Sequence, residues 1–462
     1  MSSFKNAALH RLGFTESNIS SLAKRENNKG GVTESIERNQ RELSLLIKDG
    51  LSAQNITNIL SGIGGEIEVG VGALVDNNGL LFEVVDSTRL SIDEVSTILT
   101  KSAIHVGSVI VALYEKREDL KEFLERGIFT PKQLSNLLSS CGKEVGIAIS
   151  TITLKVSLLN KFVNDSEFSA ANVVSLLKGN RGKVEEAIEN LEKRIDLLNE
   201  FIKRGPFTAE NVSAMLGGSR DGLGEAIDAL LANEEQIRSF LQNTGLEASN
   251  ISRMLGSSGK NITAAIRGLA RSEKLIKEFI EQGEFASPNV SNMLGGAGRH
   301  IGQALEELTT NGKALTNFVK RSGFSPENVS SMIGGAGANI GHAIKMLLHY
   351  EKELAVIVSR GILNQSNISG ILSGSGASIG HNISELLTNI DKIEKFIQNS
   401  EFKSEEVSSM LAGSRGNVGE AINNLIKYSD ELNGMIRNGK YTTSNLSRIL
   451  NGSRANIAEV FN

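Results

Sequence analysis

Few side chains in this chain are of a type that does covalent chemistry, and those few are set at repeating distances. His342 and His381, two of only six histidines, stand 39 residues apart at the same place in successive copies of one pattern. They therefore belong to separate units and do not converge on one site. His349 falls further along the same helix face as His342. Cys141, the single cysteine, has no histidine in its own copy to activate it, and one thiol excludes a disulfide framework or a thiolate zinc cluster. Glycine-rich stretches such as Gly374-Ser375-Gly376 lack the strand before and the Lys-Ser/Thr after that a phosphate-binding loop needs. No catalytic residue, metal site, cofactor or small-molecule substrate is expected. The chemistry on offer is hydrogen bonding at paired positions that change while their neighbours stay nearly constant. The pairs are Gly65-Glu66, Ile104-His105, Lys143-Glu144, Gly182-Lys183, Asp221-Gly222, Lys260-Asn261, Arg299-His300, Ala338-Asn339, Ala377-Ser378, Gly416-Asn417 and Ala455-Asn456. Most of these side chains are donors or acceptors suited to base edges.

The elements that must carry these pairs are set by a period. The pattern F-[ST]-x-x-N-[VI]-S-x-[ML]-[LI] returns every 39 residues from Leu51 to Tyr441, with a shorter first copy at Phe14. The intervening starts are Leu90, Phe129, Phe168, Phe207, Leu246, Phe285, Phe324, Leu363 and Phe402. This divides the chain into an N-terminal cap (1–13), eleven tandem repeats (14–440) and a truncated final repeat (441–462).

The copy at Phe207 shows the logic. Thr208 is placed as an N-cap, and Val212, Met215 and Leu216 follow at helical spacing, so a short first helix ends near Leu216. Thr15, Ser52, Ser91, Thr130, Ser169, Ser325 and Thr442 hold the same cap position, and Pro131 and Pro326 follow where a missing N–H costs nothing. A glycine loop, Gly217 to Gly222, leads into a longer second helix that runs to the Gly245 region with a candidate break near Asn233. Ala148, Ala187, Ala226, Ala265, Ala304, Ala343 and Ala421 recur near its start, where they fill core or let neighbouring helices approach and bend the stack. The expected fold is all-α: a right-handed α-solenoid or superhelix of two-helix repeats joined by glycine-rich loops, burying its 40% hydrophobic content between neighbours. No run of about 18 apolar residues suggests a membrane span.

Charge is unevenly spread. The loops, with the matching stretch of the first copy, carry 13 basic and four acidic residues, whereas the whole chain has a net charge of −4. The acidic surplus lies in the long helices, as at Glu185, Glu186, Glu189 and Glu192. A basic stripe on an acidic body is an electrostatic footprint for a polyanion, with Arg181, Arg220, Lys260, Arg299, Arg415 and Arg454 as candidates for phosphate contact. The recurrent Asn211, Asn250, Asn289, Asn328 and Asn367, each followed two residues later by serine, suggest a hydrogen-bonded ladder between first helices or a second set of phosphate contacts.

Phe324-Ser325-Pro326-Glu327-Asn328-Val329, the loop ending Ala338-Asn339, and the Ala343-Ile344 pair opening the next helix carry a resemblance to transcription activator-like effectors and their shorter bacterial relatives. It extends over almost the whole chain. The resemblance implies that each loop faces one base pair in the major groove of double-stranded DNA while loop backbone contacts phosphate. It also implies a monomer acting in the bacterial cytoplasm or, as a secreted effector, in a host nucleus. The unit here is longer than that family's, and the Gly-Gly-Lys-Gln after the variable pair is absent. Gly337, Arg220, Arg415 and Arg454, one step earlier in the loop, therefore remain alternatives for the base-facing or phosphate-facing role. The rival functions are an α-solenoid scaffold for a protein partner and modular RNA binding.

Overall fold

The computed structural model describes residues 12–15, 18, 38–61, 67–180, 183–219, 222–256, 258–295, 297–334, 336–373, 375, 378–412, 417–439 and 441–451. Among them there are helices and tight connections and no strand. The chain divides into two compact units, Met1–Leu231 and Ala232–Asn462.

The period becomes visible as a repeated element order. In the first unit the copy at Phe129 runs through the helix Pro131–Leu138, a 3-10 turn Gly142–Glu144, and the helices Val145–Leu154 and Val156–Asn164. In the second unit the copy at Leu246 repeats it as Ala248–Gly256, Gly259–Asn261, Ile262–Arg271 and Glu273–Gln282. The expected two-helix repeat is thus a three-helix repeat. Among the described residues from Leu51 to Gly439, only the copy at Leu363 keeps one long second helix, Ile379–Asn399.

The break anticipated near Asn233 occurs there, at φ −114° and ψ 21°, and at the equivalent Lys155, at φ −98° and ψ 16°. One residue in this bridge region bends the two flanking helices of the Phe129 copy by 69°. At the break, Asn77 and Asn311 donate side-chain bonds to the carbonyls of Ala73 and Glu307, at 2.8 and 2.7 Å. Asn389 makes the same bond to Glu385 at 2.9 Å inside the unbroken helix, so this bond is not what bends the arm.

First-helix boundaries follow the caps. Ser91, Thr130, Ser169 and Thr208 each accept a bond from the backbone N–H three residues on, and the side chain there accepts the backbone N–H of the cap in return. Two orphan N–H groups are satisfied at each start, a device worth about 1 kcal/mol per cap. Pro131 and Pro326 open their helices as expected.

In each unit like packs on like. In the first, Ala53–Ser61, Ile92–Leu99, Pro131–Leu138 and Ala170–Lys178 each pack on the next, and the second helices Ile67–Asp76, Val106–Glu115, Val145–Leu154 and Val184–Glu192 do the same to form another layer. In the second, Ser287–Leu294, Pro326–Gly334 and Gln365–Leu372 continue the same stacking. Aromatic pairs join a third helix to the start of the next copy: Phe123 with Phe129, Phe201 with Phe207, and Phe279 with Phe285, with ring centroids 5.4–5.6 Å apart. All of these rings are buried.

The recurrent alanines, Ala148 to Ala421, are buried, but the tightest approach between second helices falls two residues earlier, on glycine. A Cβ on Gly302 would lie 3.1 Å from the Cα of Gly268 in the preceding copy, and one on Gly224 would lie 2.3 Å from the Asn190 side-chain oxygen. Gly341 and Gly380 are equally closed off, by Glu307 and Met346. Glu185 and Thr263 hold this position in the copies at Phe168 and Leu246, so the close approach belongs to the glycine-bearing copies.

Candidate nucleic-acid interface

Among the described residues, the loops of the copies from Leu90 to Leu363 are built on a frame of two backbone bonds. Counting each copy from its opening Phe or Leu, the residue at position 13 donates to the carbonyl three before it, and position 16 donates back to the carbonyl of position 13. In the Phe129 copy these are Cys141 to Leu138 and Glu144 to Cys141, both 3.0 Å. The same pair recurs as Ser102 to Leu99 with His105 to Ser102, and as Ala336 to Ile333 with Asn339 to Ala336, at 2.8–3.0 Å. The position-13 residue points inward. Ser102, Cys141, Asn180, Ser219, Ser258, Ala297, Ala336 and Ser375 are all buried. A small residue stands at this position in most copies, with Ile63 and Asn180 as the larger exceptions, and attention to the variable pair passes over it.

Glycine at position 14 then takes a left-handed backbone, with φ of 52–54° at Gly142, Gly259, Gly298 and Gly337. The chain is thereby turned so that positions 15 and 16 lie outside the anchor, and position 17, the first residue of the second helix, is buried again, as at Val106, Val145, Ile262, Ile301 and Ile340. By contrast the first loop glycine is right-handed. Gly179 has φ −59°, and a Cβ there would sit 2.1 Å from the Gly217 carbonyl oxygen, so it serves close backbone approach.

The variable pairs that are described lie mostly at the surface. Ile104, His105, Lys143, Lys183, Asn339 and Asn417 are exposed, Glu144, Asn261, His300 and Ser378 are half-buried, and Gly222 is buried. Gly65, Glu66, Gly182, Asp221, Ala377, Gly416, Ala455 and Asn456 lie outside the described residues, as do the side chains of Lys260, Arg299 and Ala338. So do the phosphate candidates Arg181, Arg220, Arg415 and Arg454. Neighbouring tips touch: in the first unit Ala103–His105 packs beside Gly142–Glu144, and in the second Gly259–Asn261, Gly298–His300 and Gly337–Asn339 form a row. Lys183 lies 3.7 Å from Glu186, an exposed pair of little energetic weight.

The asparagine ladder is present. Asn172 accepts the Ser169 backbone N–H at 3.1 Å and donates to the Ser213 hydroxyl of the next copy at 3.2 Å. In the second unit Asn250, Asn289 and Asn328 donate in the same way to Ser291, Ser330 and Ser369 at 3.1–3.5 Å. In these four rungs the oxygen and one N–H of each amide are engaged in the fold, as the ladder reading expects.

Burial pushes the Cys141 thiol up to about 11, so it stays protonated and inert at neutral pH. His342 and His381 are exposed on successive second helices. Among the described residues no group of three or more His, Cys, Asp or Glu is placed to hold a metal ion. No family model matches the chain, and neither a curated protein nor a solved structure matches it.

Proposed function

We propose that this protein binds double-stranded DNA through its row of 3-10 tips, one tip to a base pair in the major groove, and performs no chemical reaction. The copies would follow the groove as a right-handed superhelix. One observation carries the reading: in the described loops the same two backbone bonds, closed onto a buried position 13, hold a pair that lies mostly at the surface and whose identity differs from copy to copy. A frame kept constant while its presented side chains vary is how a modular reader addresses different neighbours. The side chains presented, including His105, Lys143, Asn261, His300 and Asn339, are hydrogen-bonding groups of the kind that distinguish base pairs in the major groove. The basic surplus of the loops supports a polyanion in preference to a neutral protein partner.

The test is selection from randomised duplexes by the full chain, with single-stranded RNA of random sequence in parallel. Enrichment of a contiguous duplex motif is the expected result. Absence of enrichment from the duplex pool would overturn the reading and favour a protein partner.

A further inference from the structure

Ile104 is the one branched apolar residue among the paired tip positions, all the others being glycine, alanine or polar. It sits in the middle of the 3-10 turn Ala103–His105 and is 49% exposed. The frame fixes it there. His105 donates to the Ser102 carbonyl at 3.0 Å, and Ser102 and Val106, on either side of the turn, are both buried. The turn packs against Ile67–Asp76 of the preceding copy, whose first turn presents Val69, itself 53% exposed. Two aliphatic side chains are thus left in water on the two elements that meet at this tip, a place where polar side chains would stay hydrated at no cost.

We infer that Ile104 reads the C5-methyl group of a pyrimidine in the base pair facing the Leu90 copy. This rests on the duplex-binding reading above. In the major groove thymine is the unmodified base that presents a methyl group, at C5, and an apolar side chain is the complement of that group. Cytosine and uracil carry hydrogen at the same carbon, while 5-methylcytosine presents the same methyl on a different pairing edge. Thymine and 5-methylcytosine are therefore the two sources of one contact.

The experiment uses the full chain and a duplex obtained by selection. Each thymine is replaced in turn by deoxyuridine, which removes the methyl and leaves pairing unchanged. At one position affinity should fall about fourfold, the size of one buried methyl-sized group, and Ile104→Ser should bind the thymine and deoxyuridine duplexes equally at that position only. Placing cytosine or 5-methylcytosine there should restore the preference for the methylated base in the unaltered protein and not in the variant. If no thymine shows methyl dependence in the unaltered protein, or if the dependence survives in I104S, the assignment is overturned and the exposed isoleucine belongs to another contact. The first arm needs no variant, so a folding defect in I104S cannot mask the answer. Failure to bind any duplex would instead overturn the DNA reading itself, a separate and visible outcome.

Discussion

Beside the variable pair, the tips divide by the residue at position 14. The copies at Leu51, Phe129, Leu246, Phe285, Phe324 and Leu363 have glycine there, that at Leu90 has alanine, and those at Phe168, Phe207, Phe402 and Tyr441 have arginine. Both kinds keep the inward anchor and the bond closing onto it: Lys183 donates to Asn180 at 3.1 Å and Gly222 to Ser219 at 3.0 Å, as Glu144 does to Cys141. The residue before the second helix differs, however. Its ψ is 54° at Lys183 and 43° at Asn417, against 11–20° at Glu144, Asn261, His300 and Asn339. Position 14 is glycine in one group of copies and a cation in the other, while the Leu90 copy, with Ala103 there, has ψ 13° at His105 and so matches the glycine group. The comparison suggests a division of work, with glycine copies presenting their pair and arginine copies adding a cation for phosphate.

That division can be broken most directly by replacing Arg181, Arg220, Arg415 and Arg454 together with serine. If each neutralises a phosphate, the slope of log affinity against log salt should flatten by about 0.9 per lost contact, and binding near physiological salt should largely disappear. An unchanged slope in a salt titration would place these arginines away from DNA and end the distinction.

Within the glycine class, exchanging Arg299-His300 for the Ala338-Asn339 pair should alter preference at one base pair by about 1–3 kcal/mol. Selection on randomised duplexes reads this, with thermal stability as the control. A uniform loss of affinity with no altered base would assign the pair to phosphate or structure.

Gly298→Ala sharpens the backbone side of the comparison. With φ at 52° the substitution should cost about 1 kcal/mol in stability, seen as a lower thermal midpoint. An unchanged midpoint would mean that the left-handed turn is not required.

The smallest effect is expected at the anchor that both classes share. The Ser258 hydroxyl is buried without a hydrogen-bond partner, while the equivalent residues Ala297 and Ala336 have no hydroxyl. Ser258→Ala should therefore raise stability by about 0.5–1 kcal/mol, as measured by denaturant unfolding. A loss would reveal a partner for the hydroxyl.

Local rules made much of this legible from the amino-acid order. The caps at Ser91, Thr130, Ser169 and Thr208 and the helix starts at Pro131 and Pro326 follow from residue types at fixed short spacing, and the 39-residue period with its recurrent Asn and Ser pointed to the rung of Asn250 with Ser291. Hydrophobic phase found the buried faces but could not separate one long helix from two. Leu230 and Ile237 show why: they are seven residues apart, two helical turns, and stay in phase through the one non-helical residue Asn233.

What the sequence determined by itself is therefore the repeat, its helix starts and the set of side chains offered at each tip, because these depend on neighbours a few residues away. The tertiary structure alone decided three things. The bend at Lys155 is a change of dihedral at a single residue, which takes bridge-region values between two helices. The close approach of Gly302 to Gly268 and of Gly341 to Glu307 is recognisable only once the copies are packed together. The inward turn of position 13, with the exposure of the pair after it, follows from the backbone bonds that close each tip onto its anchor. Each involves atoms brought together from different copies or a dihedral choice between near-equal alternatives, and none is encoded in the spacing of residue types.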